Sequence, residues 1–133
     1  MATLFSKIIN REIPGYIVAE DEKHIAFLDI YPLVLGHTLV VPKKEVDYIF
    51  DMDSNELAEL MVFAQKVAKA LKKVVPCNRI GVSVIGLEVP HTHIHLVPIN
   101  TIGDINFSKE KLAPAKDQMI EWTEKIKEAY ASL

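Results

Sequence analysis

The chain has 133 residues, half of them apolar and a quarter charged, with a net charge of −3. That is the size and composition of one globular domain, expected to span residues 1–133, and it excludes disordered, collagenous and coiled-coil classes. The charge gives no bulk attraction to nucleic acid or to an anionic membrane surface, so neither is expected as a partner.

No apolar run reaches the roughly 18 residues that a membrane span requires. The start, MATLFSKIIN, lacks the long apolar segment and small-residue cleavage site of a signal peptide. Cys77 stands alone and cannot form an internal disulfide, so a reducing, cytoplasmic setting is expected.

In chain order, residues 4–11 predict a short helix closed by Pro14 and Gly15. Residues 16–19 and 24–30 read as strands, with a hairpin turn at 20–23 between them. Residues 31–36, with Pro32 and Gly36, form a loop before a third, buried strand at 37–42. Asp53 followed by Glu56 resembles a capping box, with Ser54 as an alternative cap. Leu57, Leu60, Met61, Ala64, Val67, Ala68, Leu71 and Val74 then recur at helical spacing, and Pro76 stops the helix. Lys66, Lys69, Lys72 and Lys73 fall largely off that stripe and read as a solvated face. Residues 79–85 and 91–99 predict two more strands. A last helix begins near Pro114, with Met119, Trp122, Ile126, Ala129 and Leu133 on its inner stripe.

Five short strands, three of them in a run, predict an α+β fold: a mostly antiparallel five-stranded sheet with helices packed on it. Neither GxGxxG nor GxxxxGK[ST] occurs, so no phosphate-binding glycine loop is expected.

Three of the five histidines fall within His91-Thr92-His93-Ile94-His95. On a strand, positions i, i+2 and i+4 share one face. His91, His93 and His95 would therefore point one way, and Thr92, Ile94 and Leu96 the other. Imidazoles so close cannot all be charged cheaply, which suits neutral nucleophiles, donors or metal ligands. A solvated polar face gives no reason to choose imidazole three times. An HxH pair can chelate zinc, but the nearest carboxylates, Glu88 and Asp104, lie outside the segment and no cysteine pair is present. Metal-free nucleophilic catalysis on phosphorus needs a nucleophile, a donor and an orienting group, and three histidines can supply them.

HTHIHLVP resembles the His-φ-His-φ-His-φ-φ signature (φ apolar) of the histidine triad superfamily of nucleotide hydrolases and transferases, with Thr92 the one weak φ. FSKIINREIPGYIVAEDEKHIAFLDIYPLVLGHTLVVPKKEV is similar to that family's N-terminal half, so the likeness covers about residues 3–99. The resemblance implies an antiparallel sheet that continues across a homodimer. It implies action at the α-phosphorus of a nucleoside phosphoramidate, dinucleoside polyphosphate or similar purine nucleotide conjugate, without a cofactor. His93 matches the nucleophile that becomes a nucleotidyl-histidine, and His95 a histidine that hydrogen-bonds phosphate oxygens. His91 and His37 match supporting histidines. Asp29 matches a ribose-binding residue, and Phe27 and Ile30 match apolar walls of the base pocket.

Two segments depart from the family pattern. Zinc-carrying members have ligands where this chain has Thr3, Ser6 and Glu45, so only His91 of that set remains and no structural zinc is expected. Before the triad, Leu87 stands where Gln is usual and Glu88 where Ser or Thr usually faces phosphate. A carboxylate about 4 Å from phosphate would repel it by about 4 kcal/mol at an effective dielectric of 20. That keeps open a nucleotide-binding module with little catalysis.

Overall fold

Thr3 opens the first helix, α1 (Leu4–Ile9): its hydroxyl accepts the Ser6 N–H at 3.0 Å, while the Ser6 hydroxyl accepts the Thr3 N–H at 2.7 Å. The fold comes from a computed structural model, which describes residues 3–133. Strands β1 (Ile17–Glu20), β2 (His24–Leu28) and β3 (Thr38–Pro42) follow, and then a 3-10 turn, Ile49–Asp51. Helix α2 (Ser54–Val74), strands β4 (Arg79–Ser83) and β5 (Ile94–Ile99), a second 3-10 turn (Ile102–Ile105) and helix α3 (Lys116–Ala131) complete the order.

The strands form one sheet in the order β1-β2-β3-β5-β4, with every neighbouring pair antiparallel. This is the expected α+β architecture. One face of the sheet carries α2 and α3, and the other carries α1. Alternation along the strands decides which side chains go where. Ala26, Leu28, Val40, Ile94 and Leu96 pack with Leu60, Phe63, Val67, Leu71 and Ile126. Ile25, Phe27, Leu39 and Val41 turn the other way and pack with Phe5 and Ile8 of α1. A shift in the β1–β2 register lies between Ile17 and Ala19, so Val18 and Ala19 both join the α2–α3 side while Ile17 packs on the α1 side.

Three sequence expectations change in detail. Asp53 does cap α2, accepting the Asn55 N–H at 2.9 Å, but no capping box forms, because Glu56 pairs with Lys44 at 3.1 Å. Phe63 faces the core of α2 and Met61 faces solvent. The inner stripe of α3 is Met119, Thr123 and Ile126, with Trp122 half-buried beside it and Leu133 exposed.

Candidate active site

The histidine-rich segment enters the sheet later than its alternation suggests: β5 begins at Ile94, and His91, Thr92 and His93 lie outside it. Pro90 has no N–H to give a ladder. The His91 N–H bonds the Val89 carbonyl at 2.8 Å, and Thr92 spends both its N–H and its hydroxyl on Val46 O at 2.7 Å. The expected sidedness nevertheless holds. Ile94 and Leu96 are locked into the α2–α3 core. The rings of His91 and His93 both meet the Phe5 ring, with centroids 6.1 and 4.9 Å away, and the His95 ring lies 4.9 Å from that of His93. Cross-strand pairing sets Leu39 of β3 opposite His95, and His37, just before β3, reaches the same place.

The hydrogen bonds fix which nitrogen of each ring holds a proton. The Leu33 N–H donates to His37 Nδ1 at 3.0 Å, so the neutral ring carries its proton on Nε2. His37 Nε2–H then donates to His95 Nδ1 at 2.9 Å, which leaves His95 with a free Nε2–H. His93 Nδ1–H donates to the His91 carbonyl at 2.8 Å, which leaves the lone pair on His93 Nε2. His91 Nε2–H donates to the Pro42 carbonyl at 2.8 Å, and His91 Nδ1 accepts the Thr3 hydroxyl at 3.1 Å. The arrangement therefore presents one unprotonated nitrogen beside one N–H donor.

Burial and nearby positive charge favour the neutral forms of His37, His95 and His91. Burial, followed by the charges of Lys111, His93 and Lys109, pushes His37 down to about 4. Burial, followed by His37, His93 and Lys111, pushes His95 down to about 3. Burial lowers His91 as well and raises Asp29. With His37 neutral, the 3.9 Å approach of its Nε2 to Asp29 Oδ2 is a dipolar contact and not an ion pair.

His37, His93, His95 and Asp29 line one cavity of about 200 Å³ together with residues 85–88, Phe107 and Lys111. His91 stands behind His93 as its support. Phe27 is only 2% exposed, packed against Phe5 at 5.5 Å between ring centroids, and it does not line the cavity. Ile30 is 54% exposed and also stays outside the lining. Leu87 and Glu88 are both exposed at the mouth. A larger groove of about 660 Å³ between β1 and α3 contains no histidine and none of these groups.

Three contributors lay outside the sequence reading. Phe5 seats the His93 ring, and Phe107 covers His95 at 4.7 Å between centroids. Lys111 brings a cation. Two of the three positions that resembled lost zinc ligands have a structural use: Thr3 and Ser6 cap α1, and Thr3 holds His91. Asp29, His37 and His95 each place a ligand atom within 4.8 Å of the others, but the facing nitrogens of His37 and His95 share a proton. A metal there would have to break that bond. His24, the fifth histidine, faces away, paired with Asp21 and stacked on Phe63 at 5.1 Å.

The family model of the HIT domain matches residues 10–102. The chain is 39% identical over 102 residues to a HIT-like protein of Borreliella burgdorferi, covering 71% of this chain and 73% of that one. It is 37% identical over 101 residues to adenosine 5'-monophosphoramidase HNT1 of Saccharomyces cerevisiae, covering 73% of this chain and 62% of the yeast protein. Its fold superposes on a Hit-like protein of Bartonella henselae described as involved in cell-cycle regulation, with a TM-score of 0.82 and 33% identity over 96% of this chain and 95% of that one. It also superposes on a hypothetical histidine triad nucleotide-binding protein of Sulfolobus tokodaii, with a TM-score of 0.83 and 33% identity over 97% of this chain and 92% of that one. With the triad, its backing histidine and the sheet all in register, the chain belongs to the HIT family.

Proposed function

We propose that this chain, a single domain over residues 1–133, is a metal-independent nucleotide hydrolase or transferase. It acts at the α-phosphorus of a nucleoside phosphoramidate, dinucleoside polyphosphate or similar conjugate of a purine nucleotide. The observation that carries this reading is the pairing of His93 Nε2, free of its proton because Nδ1–H is held by the His91 carbonyl, with the outward Nε2–H of His95. The yeast relative's name, a monophosphoramidase, supports the same chemistry.

In the first step His93 Nε2 bonds to phosphorus as the bond to the leaving group breaks; that group departs with the electron pair and takes up a proton. In the second, water bonds to phosphorus, the P–N bond breaks, the electron pair returns to Nε2, and a nucleoside monophosphate leaves as the water's surplus proton passes to solvent. His95 donates to a phosphoryl oxygen, and His37 and His91 hold their neighbours in the reactive tautomer. Asp29 accepts from the ribose hydroxyls. Ile30 offers the base an apolar rim, which Phe27 backs from inside the cluster under α1.

A homodimer through β4 would lengthen the sheet: β4 is an edge strand, and Val82, Val84 and Ile85 on and beside it are exposed. Light scattering should then report twice the monomer mass, and Val82→Glu should return it to the monomer. No helix among the described residues is long and apolar enough to cross a membrane, and a cytoplasmic setting suits the lone Cys77.

The decisive experiment incubates the protein with adenosine phosphoramidate and with a diadenosine polyphosphate, then maps any trapped adduct by mass spectrometry. Monophosphate release with the adduct on His93 is expected. Tight nucleotide binding without product would favour a binding module, for which exposed Glu88 at the cavity is the supporting feature. Activity lost to a chelator would favour a metal hydrolase.

A further inference from the structure

Of the described residues that line the triad cavity, Lys111 alone carries a fixed positive charge. It arrives on the irregular segment between the second 3-10 turn and α3, and that segment is fastened to the site through Phe107 and Leu112. The Phe107 ring lies on His95 at 4.7 Å and on His37 at 6.2 Å. The Leu112 N–H bonds the Pro32 carbonyl at 2.9 Å, in the loop that also carries Asp29. The Lys111 ammonium itself donates to the Phe107 carbonyl at 3.1 Å, which leaves two of its three hydrogens unspent. Among the described residues Lys111 forms no ion pair.

The charge balance of the cavity gives this cation a purpose. A nucleotide brings at least one negative charge. The hydrogen bonds that set the tautomers leave His37 and His95 neutral, and Asp29 and Glu88 add carboxylates to the same walls. An anion entering that cavity without Lys111 would meet donors but no compensating charge. We propose that Lys111 is the phosphate-binding cation of this site and that it makes the cavity prefer a phosphorylated nucleoside to the bare one. The proposal rests on the reading of the cavity as a nucleotide site, but it concerns binding alone and is separable from turnover.

Calorimetric titration of adenosine and of AMP against the wild type, Lys111→Gln and Lys111→Arg tests it. Lys111→Gln should weaken AMP roughly tenfold, the size expected for one charge-assisted hydrogen bond, while adenosine stays within about twofold. Lys111→Arg should restore most of the AMP affinity, and added salt should weaken AMP binding more in the wild type than in Lys111→Gln. Unchanged AMP affinity in Lys111→Gln would overturn the assignment. An equal loss for adenosine would overturn it too, since Lys111 would then act through Asp29 or the loop. If the wild type binds AMP through Lys111 yet releases no monophosphate from either conjugate, the hydrolase reading falls and this one stands. If it binds neither ligand, both fall.

Discussion

The face of the sheet under α2 and α3 is mainly apolar: Val18, Ala26, Leu28, Val40, Ile94 and Leu96 meet Leu60, Phe63, Val67, Leu71 and Ile126, with buried His24 and Thr38 at its margins. The face under α1 changes character partway across. Ile25, Phe27, Leu39 and Val41 are packed beneath Phe5 and Ile8, and then His93 and His95 take over at β5. The same strand serves both faces, because Ile94 and Leu96 alternate with the histidines. The apolar side chains anchor β5 in the larger core, and the imidazoles on its other face inherit that rigidity. Polar groups are buried here without orphans: no buried side-chain nitrogen or oxygen among the described residues lacks a partner.

If the two faces divide their labour in this way, substitutions should separate activity from stability. His93→Ala should show the largest effect, lowering turnover by roughly 10⁴-fold or more while AMP still binds; retention of full activity in a steady-state assay would refute the nucleophile assignment. Acid should act next, and through stability. His37 and His95 titrate near 6.5 when unfolded but at about 4 and about 3 in the fold. Their folded values are depressed, so the unfolded chain binds more protons below pH 6.5. Stability is therefore complete above pH 6.5 and is lost as pH falls toward the folded values. Between pH 6.5 and 5 the loss is roughly 2 kcal/mol for each ring. Urea midpoints at pH 7 and pH 5 check this, and a midpoint that holds steady or rises would contradict it.

On the opposite face, Leu60→Ala should cost about 3 kcal/mol of stability and leave kcat unchanged at temperatures where the protein stays folded. A matching fall in kcat would show that the faces are coupled. Thr3→Val should produce the smallest change, about 1–2 kcal/mol, because it removes the α1 cap and leaves His91 Nδ1 without its donor. Thr3→Ser should recover most of that in thermal denaturation, and equal losses from the two variants would rule out the hydroxyl as the cause.

The large-scale fold was legible because its signals are periodic. Alternation marked β5, a near-continuous apolar run marked β3, and the 3.6-residue stripe marked α2, with Pro76 closing it. The triad was legible for the same reason: two-residue spacing places His93 and His95 on one face wherever the strand begins. What could not be read was contact without period. Phe5 is one aromatic in a short helix, and nothing local says that it meets a ring 88 residues away. Phe107 and Lys111 lie in a stretch with neither strand nor helix pattern, so their descent onto His95 depends on where α3 docks. Glu56 could have completed the cap of α2, but Lys44, distant in sequence, took its carboxylate. Thr3 and Ser6 looked like vestiges because only their family counterparts suggested a use, whereas their hydroxyls bond locally and to His91.

Helix α1 has six residues, well under the dozen or so that hold a helix in water unaided. It ends with Arg11 in a left-handed turn, φ 61°, closed by the Glu12 N–H on the Lys7 carbonyl at 2.8 Å. Its order is thus borrowed from the ring contacts of Phe5 and from the hydroxyl of Thr3. On warming, this flap should fray ahead of the five strands, freeing the imidazole it steadies. Activity would then fade at a temperature where circular dichroism still reports an intact sheet.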